Sequence, residues 1–176
     1  ARMKSSILRT LSILPFGKPI KLKFMNYPKK IDIALERVKE TTSTNDYLAC
    51  LCKESKAKEF YTVMADSQTK GKGQRGNSWE SEAGKNLTFS VAIRFGYDGV
   101  EPLQAYDQFV ISEITALSVV ELLASHEIIA QIKWPNDIYV GSKKICGILI
   151  ENSLAGADVI HSIAGVGLNV NQTAFD

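Results

Sequence analysis

The segment Gly71-Lys72-Gly73-Gln74-Arg75-Gly76 restricts the fold of this chain more than any other. It has the spacing G-x-G-x-x-G, and it misses a P-loop only because Asn77 stands where the lysine would be. Both of those loops deliver a phosphate to the N-terminus of a following helix. Here Leu87, Phe89, Val91 and Ile93 alternate with Thr88, Ser90, Ala92 and Arg94, a period of two that belongs to a strand. The run Phe60 to Ala65 before the loop also reads as a buried strand. A glycine loop between two strands excludes the dinucleotide βαβ unit, and no acid is placed to hold a ribose on a second strand. What remains is a strand-to-strand connection, Asp66 to Lys85, with backbone N–H groups and two cations, Lys72 and Arg75, that suit an anion. Trp79, just past the loop, is either a stacking plate for a purine or a core residue.

The remaining pattern gives a fold class. Ile33 to Val38 reads as a first strand. Ser43-Thr44-Asn45-Asp46 has the form of a capping box, starting a helix that carries Tyr47, Leu48 and Leu51. A longer helix is expected over Ala105 to Ser125, its buried stripe near Phe109, Ser112, Leu117, Val120 and Leu123. Ile128 to Trp134 is a strand ending at Pro135. Ile138 to Val140 and Lys144 to Ile150 form a hairpin around Gly141-Ser142, a pair suited to a type II′ turn. Val159 to Val170 is a last strand, broken by Gly165 and Gly167. Strands joined mostly by hairpins make an α+β protein: a mixed, mostly antiparallel sheet flanked by helices.

At 176 residues, 45% hydrophobic and 23% charged, the chain can bury one core without staples. The formal charge of +2 hides an asymmetry: residues 1–30 hold eight cations and no acid, while residues 31–176 carry a net of −6. The body is mildly acidic, which argues against a broad nucleic-acid groove. Residues 1–30 are expected to be a basic extension outside the core, and residues 31–176 the functional domain. The charge-free stretch Val159 to Phe175 is too polar for a membrane helix, so no membrane partner is expected. Cys50, Cys52 and Cys146 are an odd set whose spacing with His126 and His161 matches no common zinc pattern. The apolar run Ile7 to Phe16 is interrupted by Pro15 and lacks a cleavage site. Free thiols and no signal peptide point to the cytoplasm.

A second constellation is Lys133-Trp134-Pro135-Asn136-Asp137, with Lys144 across the hairpin. An amide, a carboxylate and two lysines at a strand end are what a magnesium–triphosphate and an incoming carboxylate need. Together with Thr42-Ser43-Thr44-Asn45, with Gln68 through Gly76 plus Trp79, with Gly147, and with Gly165-Val166-Gly167-Leu168-Asn169, the chain resembles the biotin protein ligases. The four blocks occur in that family's order and spacing over roughly residues 33–172.

The resemblance implies a sheet related to the class II aminoacyl-tRNA synthetases. It also implies a ligase that makes biotinyl-5′-AMP from ATP and biotin and transfers biotin to a lysine of a biotin carboxyl carrier protein. It assigns Ser43, Thr44, Asn45, Gln68, Lys72, Gly73, Gln74, Lys144 and Gly147 to biotin. Lys144 and Lys72 would act in catalysis. Arg75, Trp79, Lys133, Asn136, Asp137 and Asn169 would serve ATP, with Asp137 a ligand for Mg2+. Gly147, Gly165 and Gly167 would leave room for ligand against the sheet.

Lys72 stands where the family usually has arginine, and Gln74 where many members have another. A point charge thus replaces a bidentate fork. Against the family's length, the expectation is a catalytic domain incomplete at its C-terminus, without an SH3-like barrel or an N-terminal winged helix. Sequence-specific DNA binding is not expected, and a homodimer is compatible with the resemblance. The alternatives are a lipoate or octanoate ligase of the same superfamily, and a non-catalytic biotin- or RNA-binding fragment.

Overall fold

A computed structural model of the chain describes residues 33–96 and 102–175. The basic extension expected over residues 1–30 lies outside them. In chain order the elements are β1 (Leu35–Thr41), α1 (Thr44–Lys53), β2 (Thr62–Gln68), β3 (Leu87–Arg94), β4 (Leu103–Gln104), α2 (Phe109–Ser125), β5 (Gln131–Lys133), β6 (Asp137–Val140), β7 (Lys143–Ala155) and β8 (Asp158–Leu168). The strands form one sheet in the order β1-β2-β3-β8-β7-β6-β5, with β4 on β8. Only β1 and β2 run parallel; the other pairs are antiparallel. The mixed, mostly antiparallel α+β sheet expected from the sequence is the one observed.

Alternation along β7 and β8 gives the sheet two different faces. On one face Cys146, Ile148, Val166 and Leu168 pack with Ile138 under Ala116, Val119 and Leu123 of α2. On the other face Val63, Ala92 and Ile163 receive Leu48 of α1. That second face continues through residues where Cβ atoms are absent: Gly165 lies opposite Ser90 and Leu149, and Gly167 opposite Thr88 and Gly147. The α1 helix covers only part of it, and the glycine end is where the candidate site lies.

Several local expectations need correction. Ser43 is the N-cap residue, but its side chain makes no capping bond, and the Asp46 carboxylate is ion-paired to Lys72 instead of reaching back to Ser43; the box does not close. Strand β8 is continuous through Gly165 and Gly167, since both are hydrogen-bonded on each side to β3 and β7. The buried stripe of α2 is Ile111, Ala116, Val119 and Leu123, while Phe109 and Leu117 are exposed. Apolar residues surround this helix, so periodicity alone did not fix its rotation. By length and composition the span Ala105–Ser125 could cross a bilayer; here one side of the helix caps the sheet core.

The glycines keep the second face flat enough for large side chains to lie on it. A Cβ at Gly167 would fall within the Trp79 indole, one at Gly147 would come 2.8 Å from its Cζ3 atom, and one at Gly165 would meet the Asn45 amide. Gly167→Ala should therefore displace the indole and lower stability by about 1–3 kcal/mol. Urea unfolding and the near-ultraviolet circular dichroism of Trp79 read this; wild-type stability with an unchanged spectrum would contradict the packing.

Candidate active site

A cavity of about 300 Å³ opens on the glycine face, at the small end of ligand-pocket sizes. Its walls come from seven places in the sequence, two of them Thr88 on β3 and Gly165 to Gly167 on β8. The start of α1 gives Ser43 and Asn45, the end of β2 gives Gln68, and the glycine loop gives Lys72, Gly73, Gln74, Arg75 and Trp79. The turn into β6 supplies Asn136 and Asp137, and β7 supplies Lys144 and Gly147. Gln68 and Lys144, the two ends of the expected site, thus face one space. Three expected residues do not line it. Thr44 is buried one layer behind the wall. Lys133 is exposed, its ammonium 5.0 Å from the centre of the Tyr139 ring. Asn169 lies past β8, its backbone N–H bonded to Ile145.

The polar wall near α1 is wired together. Gln68 Oε1 accepts from the Thr44 N–H at 2.7 Å and from the Thr44 hydroxyl at 3.1 Å. The buried Ser90 hydroxyl lies 2.7 Å from Thr44 Oγ1 and 2.6 Å from Asn45 Oδ1. Asn45 Nδ2 donates to Glu151 Oε2 at 2.7 Å. Buried polar groups cost stability unless satisfied, so this network fixes each rotamer. Gln68 Oε1 is occupied, which leaves its Nε2 as the group to donate to a ligand. Ser43 Oγ, unused as a cap, is the second polar group at that end.

Both cavity lysines are paired with acids. Lys144 Nζ lies 2.9 Å from Asp137 Oδ1 and 5.6 Å from the centre of the Trp79 ring. The pair is ionic by distance but off the angle a hydrogen bond requires, so Asp137 Oδ1 is buried without one. Trp79 Nε1 and Asn169 Oδ1 are likewise buried without hydrogen-bond partners. Lys72 is ion-paired to Asp46 on α1, with Glu151 of β7 at 3.9 Å. Its hydrogen bond with Asp46 holds the ammonium above the ordinary lysine range despite partial burial. Cys146, beside Gly147, has its thiol pushed up to about 12 by burial and is no nucleophile at neutral pH.

The glycine loop is a small hairpin. Gly73 N–H donates to Asn77 O at 2.7 Å, Trp79 N–H donates to Gly71 O at 2.9 Å, and Lys72 bridges Ser78. Arg75 sits in the left-handed region at φ 56°. The space expected beside Gly147 and Gly167 is taken by the Trp79 ring, and that beside Gly165 by Asn45. Sequence reading missed Ser90 and Glu151, and it read Asp46 only as a capping residue. The strand period of β3 does put Ser90 on the same face as Thr88 and Ala92, but nothing local marks it as a hub.

Among the described residues no group of three or more His, Cys, Asp and Glu side chains is set to cage a metal ion. A Mg2+ that arrives with phosphate oxygens and waters needs only one or two carboxylates. Asp137 Oδ1, buried without a hydrogen bond and held by the Lys144 ion pair, fits that demand.

Residues 37–169 match the biotin/lipoate A/B protein ligase family. The chain is 37% identical over 121 residues to the bifunctional ligase/repressor BirA of Bacillus spizizenii, covering 68% of this chain and 35% of that protein. It is 33% identical over 141 residues to the biotin–acetyl-CoA-carboxylase ligase of Mycobacterium tuberculosis, covering 78% and 50%. Among solved structures, the biotin protein ligase of Aquifex aeolicus in complex with biotin and ATP superposes with a TM-score of 0.62 at 33% identity, covering 81% of this chain and 55% of that one. The chain thus spans between about a third and a half of the length of these relatives. Its sheet is of the class II synthetase-like kind that these ligases share. By the match over most of its length, and with Gln68, the glycine loop and Lys144 facing one cavity, the chain belongs to the biotin/lipoate A/B protein ligase family.

Proposed function

We propose that this chain carries the adenylation site of a biotin protein ligase. It would join biotin to AMP and pass the biotinyl group to a lysine of a biotin carboxyl carrier protein. The observation that carries the reading is the single cavity joining the polar Ser43–Gln68 end to the Lys144–Asp137 end. A ligand with a hydrogen-bonding head and a carboxylate tail matches that polarity. The family relative solved with biotin and ATP supports the choice of both substrates.

In the first step a biotin carboxylate oxygen attacks the α-phosphorus of ATP, and the bond to the bridging oxygen of pyrophosphate breaks. Two anions must approach, so the barrier is chiefly electrostatic. Lys144 is the cation placed for it: it lines the cavity beside Trp79 and exchanges Asp137 for ligand oxygens. At the other end the Gln68 amide and the Ser43 hydroxyl would hold the ureido ring. Trp79 would face adenine, with Arg75 and Asn136 toward the phosphates. Mg2+, carried in by ATP and held at Asp137, would offset phosphate charge. In the second step the carrier amine attacks the acyl carbon, AMP leaves, and the amine loses a proton to solvent. The loop Gly71 to Trp79 shields the anhydride from water meanwhile. Three free thiols support a cytoplasmic setting.

Lys144→Ala should cost at least ~100-fold in adenylation while weakening biotin binding far less, since the charge is needed most where the transition state develops. Biotin-dependent exchange of pyrophosphate into ATP and calorimetric titration separate the two effects. A loss below threefold contradicts the role, and calorimetry showing lipoate preferred over biotin would redirect the substrate. Gln74→Arg adds a fork-shaped donor to the loop and should lengthen the half-life of the bound adenylate; an unchanged release rate removes Gln74 from adenylate retention.

A further inference from the structure

The ammonium of Lys72 is spent on acids that do not line the cavity. Asp46 sits in the first turn of α1 and Glu151 on β7, whereas Lys72 belongs to the glycine loop that forms the cavity's rim. The other cavity lysine is placed differently, since both Lys144 and its partner Asp137 face the ligand space. We propose that Asp46 and Glu151 are positioning residues, a two-carboxylate latch that holds the glycine loop over the cavity through Lys72.

Three features support a latch over an incidental surface pair. Apart from the Trp79 ring seated on Gly147 and Gly167 at its far end, the loop has few ties to the body: its backbone bonds between Gly71 and Trp79 close the loop on itself. The two acids come from separate elements, so the lysine bridges α1, β7 and the loop at one point. Glu151 is itself fixed, because its other oxygen accepts from Asn45, which is held by Ser90. The latch is therefore coupled through Asn45 and Ser90 to Thr44 and Gln68, the polar end of the cavity. Asp46 also explains why lysine suffices here: a single carboxylate at close range needs a point charge, not a fork.

The side chains are roughly 40% exposed, so the pair contributes at the modest level of exposed ion pairs. That level corresponds to about a two- to fivefold change in loop opening. It acts on the rate at which ligand leaves and not on the chemistry.

The primary test needs no ligand. Millisecond hydrogen–deuterium exchange of the amides from Gly71 to Trp79 is measured in the whole chain for wild type, Asp46→Asn, Lys72→Gln and the double variant. Each single variant should raise loop exchange about two- to fivefold, the double should be no faster than either single, and Asp46→Glu should restore protection. Amides of α1 serve as the reference for any helix effect of the lost charge. Unchanged loop exchange in Asp46→Asn, or additive effects in the double variant, overturns the latch. A second arm rests on the biotin ligase reading: the same single variants should release bound biotin faster by the same factor, while Lys144→Ala does not alter loop exchange. If wild type binds no biotin, that counts against the ligase reading, and the exchange arm alone decides the latch.

Discussion

Strand β8 has to satisfy opposite demands on its two faces, and the molecule is arranged around that constraint. Its even-numbered residues Val166 and Leu168 are buried in the apolar layer beneath α2. Its odd-numbered residues change from Ile163 under α1 to Gly165 and Gly167 under the cavity. A strand interior with two glycines loses conformational and packing energy. The sheet offsets this by bonding β8 along its length to β3 and β7. Side chains from elsewhere, Trp79 and Asn45, then fill the flat surface. The site is thus a region where the sheet gives up its own side chains so that others can be brought in.

Much of this was legible in the sequence, for reasons that can be named. Strand β3 followed from strict alternation, and the β6–β7 hairpin from Gly141, which takes the positive φ its turn requires. The blocks around Ser43, Gln68, the glycine loop, Asp137 and Lys144 were visible because their residue types follow one family's order and spacing. Less visible was anything set by a single long-range contact. Ser90 and Glu151 lie on ordinary strands, and their importance comes from Asn45, more than forty residues from Ser90 and over a hundred from Glu151. Asp46 satisfied a local capping pattern, and a tertiary ion pair took it instead. The rotation of α2 was illegible because Ile114, Leu117 and Leu122 make its outer side apolar as well.

The two glycine-face side chains also explain why the cavity is small. An indole seated on Gly147 and Gly167 occupies space that a second ligand could use, and its Nε1 is buried without a hydrogen bond. An unsatisfied buried donor carries a cost of about 1–3 kcal/mol. A ligand that moved the ring and satisfied that nitrogen would recover part of it. Trp79 follows the loop directly, so movement of the ring and of the loop are mechanically linked through the bond between Trp79 and Gly71.

The charges complete the picture. A cavity lined by bare lysines would hold mutually repelling groups with no fixed geometry. Here each lysine has a carboxylate partner, yet the pairs differ in where the carboxylate lies. Asp137 stands inside the cavity, so under the proposed reaction a phosphate would share or replace it on Lys144, leaving the carboxylate for Mg2+. Asp46 and Glu151 stand outside, so Lys72 can stay bound to them while ligand enters. Exchange of partners costs less than desolvating a free cation, because the lysine is already partly dehydrated and oriented before ligand arrives. Placing one acid inside the cavity and two outside it sets two lysines of the same chemistry in different positions; in the proposed ligase, one would meet charge during reaction and the other would keep the loop where that reaction stays dry.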